Sequence, residues 1–159
     1  LRWVDTRQWR WLEVQAGVPR ITAATTEHFV PQMVNFERLG VSFTKGCYPG
    51  QEVVARSHYR GTTKRRMFLV SGSGELPAPA GDLDPADGQT EPAGVAVLAA
   101  RDPAARARWA LLAEARIEAA DAGLGWKGEA LAPLSLPYPL VDAPPAGGTA
   151  TSGSPGNQA

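Results

Sequence analysis

The chain has 159 residues, enough for about one domain, and its 16 basic and 16 acidic residues leave no net charge. This balance argues against a generally basic nucleic-acid-binding protein or a polybasic membrane surface as the whole function, although it can still hide local patches. A single cysteine excludes an intrachain disulfide and a multi-cysteine zinc site, so we expect no metal site and a reducing, cytoplasmic setting. Because the chain begins at Leu1 without a methionine, we expect a piece of a larger protein.

The first part of the chain contains two predicted helices. Apolar side chains recur at helical spacing from Asp5 to Ala16, with Asp5 or Thr6 as the N-cap and Gly17 as the C-cap. Two glycines and a proline between Gly46 and Gly50 predict a tight turn. A second helix is predicted from Gln51 to about His58, with an acid in its first turn and bases near its end.

The second part predicts a β-rich domain, in keeping with the 17 glycines and 14 prolines. Apolar runs at Met67–Val70 and Ala93–Ala100 predict strands. The stretch Trp109–Ala120 has both helical composition and alternating apolar positions, and we favour one long strand. Three prolines in Leu131–Leu140 restrict it to an edge strand or an extended closing segment. The composition after Val141 predicts a disordered tail.

Basic residues concentrate in the segment from residue 45 to residue 66, whereas residues 75–91 contain acids only. The basic members are Lys45, Arg56, Arg60, Lys64, Arg65 and Arg66, against the single acid Glu52. Two interpretations remain open. The segment is either an ordinary solvated face or an anion site for a carboxylated ligand, a phosphorylated ligand or an RNA backbone.

Cys47 lies inside this basic segment, after Lys45 and just before the predicted second helix. Positive charge and a nearby helix N-terminus lower a thiol pKa and favour the reactive thiolate. The alternative is a small buried apolar side chain, which is the commonest role of a lone cysteine. The residue pattern by itself does not decide between them.

Three of the five tryptophans, Trp3, Trp9 and Trp11, fall within the first eleven residues. Such rings either pack a helix onto a core or stack on a flat heteroaromatic ligand, and the pattern by itself favours the core.

The segment Lys45-Gly46-Cys47-Tyr48-Pro49-Gly50-Gln51-Glu52 resembles the KGCYxGQE signature of the YgfZ family of folate-binding, tRNA-modifying proteins. These proteins are relatives of the glycine cleavage T-protein. Further similarities on both sides keep the family's order, and the resemblance covers about residues 5 to 140. They are Ala16-Gly17-Val18-Pro19, Phe29-Val30-Pro31-Gln32, Asn35, Val54-Ala55-Arg56, Arg60-Gly61, Lys64-Arg65 and Leu136-Pro137-Tyr138.

The resemblance implies an α+β fold, the C-terminal part of a T-protein-like folate-binding fold that ends in a small antiparallel β-barrel. Residues 1–63 would end the central folate-binding region, residues 64–141 would form the barrel and residues 142–159 the tail. The N-terminal domain of the family would be absent. The implied cofactor is tetrahydrofolate. The implied partners are iron–sulfur enzymes or their assembly factors, with contact to tRNA and none to membranes or DNA.

The resemblance also implies roles for single residues. Trp9 matches a tryptophan that contacts folate, and Cys47 matches the cysteine on which the family's activity depends. Lys45, Tyr48, Gln51 and Glu52 would shape the signature loop. These matches favour stacking for Trp9 and a functional thiol for Cys47.

We therefore expect an accessory protein that binds tetrahydrofolate, supports iron–sulfur enzymes and assists tRNA modification. Two alternatives remain open. One is a folate-dependent aminomethyltransferase like the T-protein, whose acid catalysis resides in an N-terminal aspartate that this chain does not contain. The other is a tRNA-binding module that uses the basic segment.

Overall fold

All helices but one short helix precede the strands in the computed structural model, which describes residues 3–42, 46, 49–59, 64–86 and 88–140. The helices are α1 (Thr6–Gln15), a 3-10 turn (Ala23–Thr25), α2 (Phe36–Leu39), α3 (Gln51–Tyr59) and α4 (Ile117–Ala122). The strands are β1 (Arg65–Ser73), β2 (Asp82–Pro85), β3 (Gly94–Arg101), β4 (Arg108–Arg116), β5 (Leu124–Trp126), β6 (Glu129–Ala130) and β7 (Ala132–Leu134). This arrangement confirms the predicted α+β class.

Within the described residues, seven strands form one antiparallel sheet in the order β6-β5-β2-β3-β4-β1-β7. The two strands at the ends of this order, β6 and β7, are neighbours in the sequence and are separated by Leu131. The two edges of the sheet therefore meet at this residue, whose amide donates to Leu124 O at 2.8 Å. The sheet curls into a nearly closed barrel, as predicted.

Strand β4 is buried on both faces. Its alternate residues belong to two different apolar clusters. Trp109, Leu111, Ala113 and Ala115 face the barrel interior, and Ala110 and Leu112 face the cluster that contains Val14 of α1. Val14 is fully buried, which contributes about 1.5–3 kcal/mol. The first helix therefore packs on the outside of the barrel, and the boundary proposed at residues 63 and 64 stays a prediction.

The stretch Trp109–Ala120 is not one long strand, so that prediction is wrong. The strand ends at Arg116, opposite Arg65, the first residue of β1, and one further bond joins Ile117 N to Lys64 O at 2.9 Å. Because β1 provides no partner beyond this point, residues with good helix propensity take over and form α4. Gly123, with φ +113°, ends that helix.

Candidate functional site

Helix α1 presents Trp9 at its surface. Asp5 caps the helix by accepting from Gln8 N at 2.8 Å, and this backbone bond holds the pKa of the Asp5 carboxyl below its ordinary value. The Trp9 side chain is 55% exposed, so it does not pack into the core. Trp11 is half-buried against the core, and Trp3 is 90% exposed. The three neighbouring tryptophans thus occupy three different environments.

Glu13 follows Trp9 by one helical turn, on the same side of α1. One carboxylate oxygen, Oε1, accepts from Arg20 at 2.5 Å. The other, Oε2, is buried and has no hydrogen-bond partner among the described residues. Near the end of the helix, the Nε2 donor of Gln15 is buried and unpartnered in the same sense. An exposed indole thus lies one turn from a carboxylate that has one buried, unpaired oxygen.

The signature segment is described in part. Lys45, Cys47 and Tyr48 lie outside the described residues. Pro49 and Gly50 form the predicted turn, in which Gly50 has φ +84°. Helix α3 then begins at Gln51, which confirms the predicted start of the helix.

The two signature residues within α3 have different environments. Gln51 is half-buried. Glu52 is 82% exposed at its side chain and accepts from Arg56 at 2.7 Å, one turn along the same helix. Such an exposed pair contributes a few tenths of a kcal/mol.

A buried polar cluster that the sequence reasoning missed ties α3 to the barrel. Gln32 Nε2 donates to Val54 O of α3 at 2.7 Å, and Asn35 Nδ2 donates to Met67 O of β1 at 2.7 Å. Arg66 donates to Gln32 O at 2.9 Å and forms an ion pair with Glu37. Gln32 and Asn35 are each 2% exposed. Their signal in the sequence was a set of polar residues close to Pro31, of which Asn35 and Glu37 were expected only to cap a single helical turn before Gly40.

The oxygens of this cluster are incompletely paired. Gln32 Oε1, Asn35 Oδ1 and Glu37 Oε2 are buried without a hydrogen-bond partner in the described part of the chain. Tyr138 lies beside Asn35 of this cluster. Its hydroxyl donates to Gly17 O at 2.7 Å, although the two residues are 121 positions apart in the sequence. Burial raises the pKa of the Tyr138 hydroxyl, so it stays protonated and able to donate at neutral pH.

The predicted basic segment does not form one basic surface in its described part. Arg65 Nε and Nη2 donate to both oxygens of Glu114, at 2.5 and 2.8 Å, and this pairing raises the pKa of Arg65. Arg66 pairs with Glu37, and Arg56 pairs with Glu52. Lys64 is exposed. Three arginines that the sequence places in one charged segment are therefore each matched by a carboxylate.

A second group of arginines, which we did not predict from the sequence, surrounds a cleft between α1 and the β3–β4 hairpin. The cleft has a volume of about 410 Å³. Its lining residues are Asp5, Arg7, Gln8, Arg101, Asp102, Pro103 and Arg106. The available signal was the hairpin sequence Arg101-Asp102-Pro103-Ala104-Ala105-Arg106-Ala107-Arg108, with three arginines in eight residues.

The described residues include no group of three or more His, Cys, Asp or Glu side chains that could hold a metal ion. In the same part of the chain, no helix is long and apolar enough to cross a membrane.

An α+β chain whose helical part leads through a Pro-Gly turn and α3 into an antiparallel barrel corresponds to part of a T-protein-like fold. No family model matches the sequence. Curated relatives do. The chain is 38% identical over 143 residues to the tRNA-modifying protein YgfZ of Yersinia pestis (strain Pestoides F), covering 87% of this chain and 43% of the relative. The same protein of Edwardsiella ictaluri (strain 93-146) is 47% identical over 85 residues, covering 52% of this chain and 26% of the relative.

The chain belongs to the YgfZ family, and the match corresponds to a C-terminal part of these relatives. It spans less than half the length of the curated relatives it matches.

Proposed function

We propose that the protein binds tetrahydrofolate and acts as a cytoplasmic accessory factor for iron–sulfur enzymes and tRNA modification, with Cys47 as its functional thiol. The name of the relatives, tRNA-modifying protein YgfZ, supports the tRNA-directed part of this role. The folate and iron–sulfur parts rest on the resemblance of the signature segment to the YgfZ pattern. The observation that carries the folate proposal is the half-exposed indole of Trp9, one helical turn from the carboxylate of Glu13.

The chemistry of these two side chains fits a pterin ring. A flat heteroaromatic ring gains stacking energy on an indole face, and the N–H groups along one edge of a pterin need acceptors. Glu13 lies one turn from Trp9 and has one unpaired oxygen, Oε2, while Arg20 holds its other oxygen. Because Oε2 is buried, a pterin edge would reach it only after the Glu13 side chain moves. When bound, tetrahydrofolate would supply one-carbon chemistry, and the residues of this chain would hold and orient its ring.

Replacing Trp9 by Ala is expected to weaken tetrahydrofolate binding about 5- to 100-fold, because stacking on an aromatic side chain contributes about 1–3 kcal/mol. The measurement is a tetrahydrofolate titration of the longest natural form of the protein, followed by tryptophan fluorescence. Trp3→Ala is the matched control, since the Trp3 indole is 90% exposed and lies outside α1. Equal losses in both variants, or none in Trp9→Ala, would contradict the assignment.

Cys47 is proposed to act as a thiolate, either in mixed-disulfide or redox chemistry or in a transient contact with a cluster. Lys45, Tyr48, Gln51 and Glu52 are proposed to shape the loop around it. The thiolate is the nucleophilic and metal-binding form of cysteine, so this role requires a sulfur at position 47. A hydroxyl cannot replace it in either kind of chemistry.

Cys47→Ser is therefore expected to abolish the rescue of tRNA thiolation in a strain that lacks the protein. The readout is the thiolated fraction of tRNA nucleosides by mass spectrometry. Arg38→Ala serves as the control, since this exposed side chain lies on α2, outside the signature segment, and should retain rescue. Full rescue by Cys47→Ser would remove the functional thiol from the proposal.

A further inference from the structure

The cleft between the start of α1 and the β3–β4 hairpin is built from two elements that are distant in sequence. Arg7 comes from the first turn of α1, Arg101 is the last residue of β3, and Arg106 lies in the hairpin connection. Two further exposed arginines are close to these in the sequence, since Arg10 follows Arg7 by about one turn of α1 and Arg108 begins β4. The fold thus brings together arginines from two separate parts of the sequence.

The two aspartates of the cleft already accept hydrogen bonds from the protein. Asp5 accepts from Gln8 N at 2.8 Å and from Arg7 at 3.2 Å, and Asp102 accepts from Ala104 N at 2.8 Å. The cleft lining has three arginines against these two aspartates, an excess of one positive charge, in a chain with no net charge. This excess is local, so it attracts an anion to this place rather than to the protein as a whole.

The guanidinium of Arg101 is held in place by the hairpin. Its Nη1 donates to Arg106 O at 3.0 Å, which uses one of the five N–H donors of the side chain. A guanidinium fixed in this way loses less rotational freedom when it binds an anion than a freely moving side chain. Arginine also matches the geometry of a phosphate group with two parallel hydrogen bonds. The cleft therefore fits phosphate better than it fits a simple halide.

An exposed indole lies close to this arginine group in the sequence. Trp3 is two residues before Asp5 in the sequence, and its side chain is 90% exposed. Exposed aromatic rings beside a positively charged groove are the combination that binds single-stranded nucleic acid. The cations follow the backbone, and each unpaired base can stack on a ring. A base stacked inside a duplex has no free face for this contact. Comparing single-stranded with double-stranded RNA therefore tests the stacking contact.

We propose that the cleft formed by Arg7, Arg101 and Arg106 binds the phosphodiester backbone of an unpaired RNA strand, with Trp3 as a stacking platform. The inference rests on the tRNA-directed role proposed above and assigns that contact to a surface outside the signature segment. Trp9 and Glu13, the pair proposed for the pterin, do not line the cleft. Folate binding and RNA binding can therefore be tested separately.

The test is a fluorescence-anisotropy titration of a labelled single-stranded RNA oligonucleotide with the 159-residue chain, repeated between about 50 and 200 mM salt. Each of Arg101→Ala and Arg106→Ala is expected to weaken binding and to reduce the slope of log affinity against log salt by about 0.7. Trp3→Ala is expected to weaken binding about 5- to 100-fold without changing this slope. Arg38→Ala is the matched control, because Arg38 is exposed on α2 and does not line the cleft.

Four outcomes would overturn the inference. They are absence of salt-dependent RNA binding, the same slope change in Arg38→Ala as in the cleft variants, equal affinity for a fully paired duplex, and loss of tetrahydrofolate binding instead of RNA binding in Arg101→Ala. Thermal melting checks that each variant is folded, and all four substituted side chains are exposed. If the tetrahydrofolate titration fails while the RNA slopes change as expected, the folate function is wrong and the RNA site stands.

Discussion

Arg65→Met is expected to lower the free energy of unfolding by about 3 kcal/mol, measured by urea denaturation. The carboxylate of Glu114 is 2% exposed, and Arg65 donates to both of its oxygens. Removing one partner of such a pair leaves an uncompensated charge in the protein, at a cost of about 3–5 kcal/mol. The lower end of this energy range applies because the Arg65 side chain is 30% exposed. Once the guanidinium is removed, water can approach the Glu114 carboxylate.

The double variant Arg65→Met/Glu114→Leu is the control for this pair. It removes both charges and keeps apolar volume at the site, so most of the lost stability is expected to return. A single variant that loses less than about 1 kcal/mol would contradict the expected burial of the Glu114 charge. A double variant as unstable as the single one would show that packing rather than charge is responsible.

Gly94→Ala is expected to destabilise the protein by about 3 kcal/mol or more, because the added methyl group has no space. A Cβ atom on Gly94 would lie 2.2 Å from Glu114 O and 2.7 Å from Ala115 Cβ. The first contact is with backbone on the paired strand, so relief requires β3 and β4 to separate where Gly94 pairs with Ala115.

Gly46→Ala is the matched control for this prediction. A Cβ at Gly46 meets no atom of the described residues within 4 Å, so the expected change is within about 0.5 kcal/mol. Thermal and urea unfolding compare the two variants directly. An unchanged midpoint in Gly94→Ala would mean that the strands adjust more easily than close-packed strands normally do.

Local signals in the sequence were sufficient for several elements. The Asp5 cap and the Gly50 turn predict where α1 and α3 begin, because caps and turns depend on residues close in sequence. The apolar run at Met67–Val70 lies within β1 for the same reason. The barrel itself was predicted from the resemblance to the YgfZ family.

Features that depend on distant partners could not be predicted in this way. The end of β4 is set by where β1 begins, about fifty residues earlier in the chain. The charge of Arg65 is matched by Glu114, 49 positions away, so a count of neighbouring charges overestimated the basic surface. The arginine cleft joins α1 to a hairpin that lies about a hundred residues later. Predicting any of these three features requires the tertiary fold.

The bond from Tyr138 to Gly17 has a consequence for synthesis on the ribosome. Helix α1 leaves the ribosome before the strands that cover Val14, and well before the tyrosine that bonds to Gly17. Its apolar face therefore stays uncovered until these later strands have left the exit tunnel.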